Sequence, residues 1–150
     1  MGEDLVSKRL AEYNSIIKEH EDLYRQLAKR FGMSECSFWI LYSLRETNTS
    51  ITQSELCYAL SQPKQTINSA LKKMQDYGFI ELLINQDRRK KYIRLTDKGA
   101  LLAQETVDKV ILLENQTFDT FTEEEQSLFL QLLHKYTDNL KINLSERNLK

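Results

Sequence analysis

The chain has 150 residues, enough for one domain with a real core, or for one domain plus a dimerising appendage. Hydrophobic residues are 41% and charged residues 29%, ordinary for a globular chain, and four Gly with one Pro argue against low-complexity linkers and for a helix-rich fold. A formal net charge of −1 does not announce a polyanion binder, and no apolar run approaches the roughly 18 residues that a membrane span needs.

The N-terminus, Met-Gly-Glu-Asp-Leu-Val-Ser, lacks the apolar core of a signal peptide, and Val6 stands where a myristoylation pattern needs a hydroxyl residue. Cys36 and Cys57 do not make a disulfide framework, so the expected compartment is the cytoplasm. Residues 4–30 carry helical spacing at Leu5, Leu10, Tyr13, Ile16, Ile17, Leu23, Tyr24 and Leu27, with Gly32 placed to end the helix. That stripe is sparse and its flanks are charged, the pattern of a helix that packs on a partner chain. Ser34 is positioned to cap a second helix running to about Arg45, whose Phe38, Trp39, Leu41, Tyr42 and Leu44 mark it as central core. Residues 48–50 read as a loop.

Thr52 and Glu55 then form a capping-box pattern, with Ile51 and Leu56 at the staple positions, opening a short helix that ends near Leu60. Ser61-Gln62-Pro63 breaks it, and Pro63 suits a first helical turn. The following helix places Ile67, Ala70, Leu71 and Met74 inward and Gln65, Thr66, Asn68, Ser69, Lys72 and Lys73 outward, and Gly78 closes it. Two helices across a tight polar turn, the second polar-faced, make a helix-turn-helix. Alternating Phe79, Ile80, Leu82 and Ile84, then Tyr92, Ile93 and Leu95, predict a hairpin over 79–95. Thr96 caps a helix predicted over 97–120, and Thr122 with Glu125 forms a second capping box for a last helix to about Leu144. The tail 145–150 is expected to fray.

The charge is unevenly distributed. Residues 61–98 hold nine Lys or Arg against four Asp or Glu, a balance of +5, which leaves −6 for the remainder. Arg88, Arg89, Lys90, Lys91 and Arg94 crowd into residues 88–94, at the hairpin tip. Clustered cations repel one another, and an anionic partner relieves that repulsion. A polar-faced helix beside a cationic hairpin points to a winged helix-turn-helix that grips DNA. Gln65, Thr66, Asn68 and Ser69 are short donors and acceptors suited to base edges in the major groove, and helix N–H groups behind Pro63 suit a phosphate. Lys64, Lys72, Lys73, Arg88, Lys90 and Lys91 suit phosphate contacts, arginine is a better groove probe than lysine at the wing, and Asp87 is placed to pair with a nearby Arg and orient the turn.

Asp87-Arg88-Arg89 followed by Ile93-Arg94-Leu95-Thr96-Asp97-Lys98-Gly99 resembles the wing signature of the MarR family of bacterial transcriptional regulators. Gln53-Ser54-Glu55-Leu56, Pro63-Lys64-Gln65-Thr66-Ile67-Asn68 and Lys73-Met74-Gln75-Asp76-Tyr77-Gly78-Phe79-Ile80 resemble the family's neighbouring segments, with Met74 and Gln75 as mild departures. The resemblance implies a mainly α (α+β) fold: a winged helix-turn-helix DNA-binding domain over 34–96, and a helical dimerisation region from 1–33 and 97–150. It implies a homodimer on double-stranded DNA carrying a palindromic operator, with the minor-groove arginine carried over to Arg89 and its acidic partner to Asp87. It implies repression relieved by a small aromatic or lipophilic effector, in a crevice for which Tyr13, Ile17, Phe38, Trp39 and Tyr42 are candidates. Two alternatives remain: a winged-helix module docking an acidic protein, and a redox-sensing regulator using Cys36, whose place in a first helical turn predicts a lowered thiol pKa. His20 and His134 are the only histidines, so a metal site would need them to meet. No catalytic constellation and no cofactor motif is present, so the chain is not expected to be an enzyme.

Overall fold

A computed structural model describes residues 5–47, 50–84 and 89–149. Contacts divide the chain into two units, Met1–Lys109 and Val110–Lys150. In the first, helix α1 (Lys8–Arg30) begins where the Ser7 hydroxyl accepts from the Leu10 N–H at 3.2 Å. It stops at Gly32, whose φ of +69° suits glycine and lets the Met33 N–H reach back to the Ala28 carbonyl at 2.9 Å. Helix α2 (Glu35–Thr47) is capped by Ser34, which accepts from the Ser37 N–H at 3.1 Å. It buries Phe38, Ile40, Leu41 and Leu44, the centre of the core.

Strand β1 (Ile51–Thr52) leads directly into helix α3 (Gln53–Leu60), and both halves of the Thr52–Glu55 capping box form. Ser61 takes a left-handed conformation (φ 49°), which turns the chain sharply toward helix α4 (Lys64–Asp76). Ile67, Ala70, Leu71 and Met74 are buried at i, i+3, i+4 and i+7, so α4 keeps one apolar stripe inward and leaves the rest of its surface outward. Burying a side chain such as Ile67 contributes about 1.5–3 kcal/mol, enough to fix the rotation of α4.

Strands β2 (Ile80–Ile84) and β3 (Lys91–Leu95) form the expected antiparallel hairpin, with Ile80 opposite Leu95 and Ile84 opposite Lys91. β1 adds to the far side of β3, with Ile51 opposite Ile93, giving the order β1-β3-β2. The buried Ile51, Ile80 and Ile93 pin the sheet to the core. The base of the hairpin is then locked to helix α5 (Asp97–Glu105). Gly78 turns at φ +77°, Thr96 donates its hydroxyl to the Gly78 carbonyl and its N–H to the Phe79 carbonyl, and the Gly99 N–H returns to the Thr96 hydroxyl. A Cβ on Gly99 would lie 1.9 Å from the Phe79 oxygen, so only glycine admits this approach.

The single helix expected over 97–120 is two helices. α5 ends at Thr106 (φ −126°, ψ −92°), and α6 (Val107–Phe118) begins at the next residue. The Thr106 hydroxyl donates to the Leu102 carbonyl at 2.7 Å, a back-bond that bends helices. Just beyond the break, Arg45 of α2 grips Asp108 in two parallel hydrogen bonds, 2.8 and 2.6 Å. In the second unit, helix α7 (Glu123–Asn143) opens with the expected Thr122–Glu125 capping box. None of its residues is buried, although Leu128, Phe129, Leu132, Leu133, Tyr136 and Leu140 run along it. No helix among the described residues is long and apolar enough to cross a membrane.

Candidate nucleic-acid interface

Inward burial of Ile67, Leu71 and Met74 decides what α4 shows to the outside: Pro63, Lys64, Gln65, Thr66, Asn68, Ser69, Lys72 and Lys73 are all exposed. Lys64, Asn68, Leu71, Lys72 and Gln75, spaced as one helical stripe, form one wall of a groove of about 960 Å³. The wing supplies the opposite wall with Leu82, Arg89, Lys90 and Lys91. The N-terminal half of α3 and its cap complete the lining with Thr52, Gln53, Ser54, Glu55 and Cys57. The described lining therefore carries five cations, Lys64, Lys72, Arg89, Lys90 and Lys91, and one acid, Glu55. Such a concave, cationic trough concentrates positive potential.

Glu55 is held in place by its cap. Its carboxylate accepts from the Thr52 N–H at 2.8 Å while its own N–H donates to the Thr52 hydroxyl at 3.2 Å. The backbone bond to Thr52 and then the Thr52 hydroxyl draw its carboxyl pKa below the ordinary value, and Lys90 acts weakly in the same direction. Of the five cations clustered in the sequence, Arg94 turns along the sheet instead. Its Nε donates to Glu81 at 2.8 Å, its neighbour across the strands. Asp87 and Arg88, expected at the tip, lie outside the described residues.

Not every expected contact residue lines this groove. The expected base readers Gln65, Thr66 and Ser69 and the expected phosphate contact Lys73 are exposed on α4 outside its lining, and the Ser69 hydroxyl donates to the Gln65 carbonyl at 3.0 Å. The α3 residues that complete the groove were missed from sequence. The capping box at Thr52 was the available signal, because it fixes where that turn begins.

The expected lowering of the Cys36 thiol pKa is corrected. Burial, and secondarily the field of Cys57, push it up, because a buried thiolate loses solvation. Both cysteines are unbridged. Phe38 is fully buried in a cluster of rings with Tyr24, Phe31, Trp39 and Tyr42, at centroid distances of 5.1–6.4 Å. Trp39 also borders a second concavity of about 460 Å³ with Glu35, Cys36, Ala59, Leu60 and Gln62. Tyr13 is half-buried and Ile17 exposed on α1. Among the described residues no group of three or more His, Cys, Asp or Glu is placed to hold a metal.

No protein-family model matches the chain. It is 29% identical over 117 residues to the HTH-type transcriptional regulator PecS of Dickeya dadantii, covering 76% of this chain and 70% of PecS. Its backbone superposes on that of a MarR family regulator from Neisseria meningitidis with a TM-score of 0.78, at 24% identity, covering 94% of this chain and 99% of the other. The chain has the winged-helix fold of the MarR family. The likeness extends to a mutant of the MarR-fold protein MepR from S. aureus bound to an oligodeoxyribonucleotide, with a TM-score of 0.54 and 20% identity over 89% of this chain and 99% of that one. Within the MarR fold, α3 and α4 are the helix-turn-helix and β2–β3 the wing.

Proposed function

We propose that this protein is a transcriptional regulator that binds double-stranded DNA through the groove between α4 and the wing, acting as a homodimeric repressor on a palindromic operator. The observation that carries this reading is the convergence of Lys64, Asn68 and Lys72 with Arg89, Lys90 and Lys91 on one trough. In this reading α4 enters the major groove. Asn68, with Gln65, Thr66 and Ser69, contacts base edges, while Lys64, Lys72, Lys73, Arg88, Lys90 and Lys91 meet phosphate. Pro63 leaves the following N–H groups of α4 facing the backbone, and Arg89, oriented with Asp87, probes the minor groove. Similarity to PecS and to the DNA-bound MepR mutant supports the assignment.

The dimer is supported by α7, where Leu128, Phe129, Leu132, Leu133, Tyr136 and Leu140 stand exposed on a single chain. A patch of that kind marks an interaction surface. A two-fold axis would set two α4 helices about 34–36 Å apart, one turn of duplex. The dimerisation region would be 1–33 with 97–150, flanking a DNA-binding domain over 34–96, and binding to the chromosome places the protein in the cytoplasm. Relief by a small aromatic or lipophilic effector remains part of this reading; of the crevice residues Tyr13, Ile17, Phe38, Trp39 and Tyr42, Trp39 borders a concavity of about 460 Å³. We assign no catalytic role. Selection of bound duplexes from random DNA, with sizing of the free protein, tests the proposal: a palindromic consensus and a dimer are expected, whereas a monomer or unenriched DNA would refute it.

A further inference from the structure

The inner face of the wing carries more apolar surface than the core covers. Every second side chain of β2 shares one face, so Ile80, Leu82 and Ile84 point the same way, each beside its cross-strand partner Leu95, Ile93 or Lys91. Leu82 and Lys91 line the groove, so this is the face that looks onto it. Ile80 and Ile93 are buried and Leu82 half-buried, whereas Ile84 is 66% exposed. The apolar row therefore runs one position past the core and ends beside a groove-lining lysine.

We infer that Ile84 is an apolar DNA-contact residue, packing on the deoxyribose next to the phosphate that Lys91 meets. This inference rests on the DNA-binding reading above. A DNA strand alternates charged phosphates with sugars, whose C–H edges are apolar. The Ile84–Lys91 pair presents the matching alternation: directly opposite side chains lie about 5 Å apart at Cβ, close enough for one nucleotide to meet both. A duplex lying in the groove removes the Ile84 side chain from water, a gain that follows the apolar area covered and not the base sequence. No counterion is released in that contact, so it does not fade as salt rises, whereas the contribution of Lys91 does. Ile84 thus supplies a salt-resistant part of the affinity on a wing whose other groove-lining residues near it, Arg89, Lys90 and Lys91, are cations.

The test measures binding of the full chain to a random-sequence duplex by fluorescence anisotropy, across a sodium chloride series, for wild type, Ile84→Thr, Ile84→Val and Lys91→Gln. Threonine keeps the β-branched shape that suits a strand and removes apolar surface. Ile84→Thr is expected to weaken binding about three- to tenfold by the same factor at every salt concentration, so that log K against log salt shifts down in parallel. Ile84→Val retains most of the affinity, because it keeps most of the apolar surface. Lys91→Gln instead flattens the slope by about 0.9 for the lost phosphate contact. Wild-type affinity in Ile84→Thr would overturn the inference, as would a loss confined to low salt or an equal loss in Ile84→Val. A loss in Ile84→Thr accompanied by a flatter slope would overturn it too, because it would mark a displaced wing that had lost its lysine contacts. A wild-type chain that binds no duplex would instead defeat the DNA-binding reading, and this inference with it.

Discussion

Replacing Gly99 by Ala sets two opposite effects against each other. Gly99 lies in the first turn of α5, and helix propensity alone predicts stabilisation by about 1 kcal/mol. The added Cβ, however, would sit 1.9 Å from the Phe79 oxygen and 2.9 Å from its carbonyl carbon. Those are backbone atoms, and they cannot rotate away as a side chain would. The same oxygen accepts the Thr96 N–H at 3.1 Å, so moving it disturbs the lock that holds the hairpin to α5. Overpacking of this kind costs about 1–3 kcal/mol, and losing a backbone hydrogen bond adds about 1 kcal/mol. The clash wins, with a net loss of about 1–3 kcal/mol. For a chain of this length that lowers the melting temperature by roughly 2–12 °C. Circular dichroism melts at one fixed protein concentration measure it, and the variant should also bind duplex less well because the wing is displaced. An unchanged or raised melting temperature would refute the packing argument.

Arg89→Ala is expected to weaken duplex binding at least tenfold and to flatten its salt dependence while leaving the oligomer intact, checked by anisotropy and sizing. Asp108→Ala leaves the Arg45 guanidinium without its bidentate partner. With both side chains about 30% exposed, the expected loss is about 1–3 kcal/mol in a denaturant melt, between the surface and buried limits. Glu55 has a lowered pKa in the fold, so its contribution to stability is complete above the ordinary carboxylate pKa and disappears as pH falls through the lowered value. Wild type and Glu55→Gln should therefore differ at neutral pH and converge in acid, read from melting temperature against pH.

Features set by neighbouring residues were legible in the sequence. The capping boxes at Thr52 and Thr122, the stop at Gly32, the inward set of α4 and the hairpin all follow from spacings of two to seven residues. What escaped was set by distant partners. β1 exists because Ile51 pairs with Ile93, and two residues carry no strand period of their own. The break after α5 rests on a threonine back-bond and on Arg45 reaching Asp108, neither of which leaves a Gly or Pro mark. The basic wing and the polar side of α4 were readable, but the contribution of α3 to the groove, and Arg94 turning to Glu81, depend on how three elements meet. At Cys36, helix position argued for a reactive thiol and burial reversed the sign.

The most direct test of the DNA-binding groove is backbone hydrogen exchange with and without a duplex selected by the protein itself. Slowed exchange is expected at the start of α4, around Lys64–Asn68, at Arg89–Lys91 of the wing, and at the first turn of α3. Protection confined to other surfaces, with those three segments unchanged under saturating duplex, would contradict it.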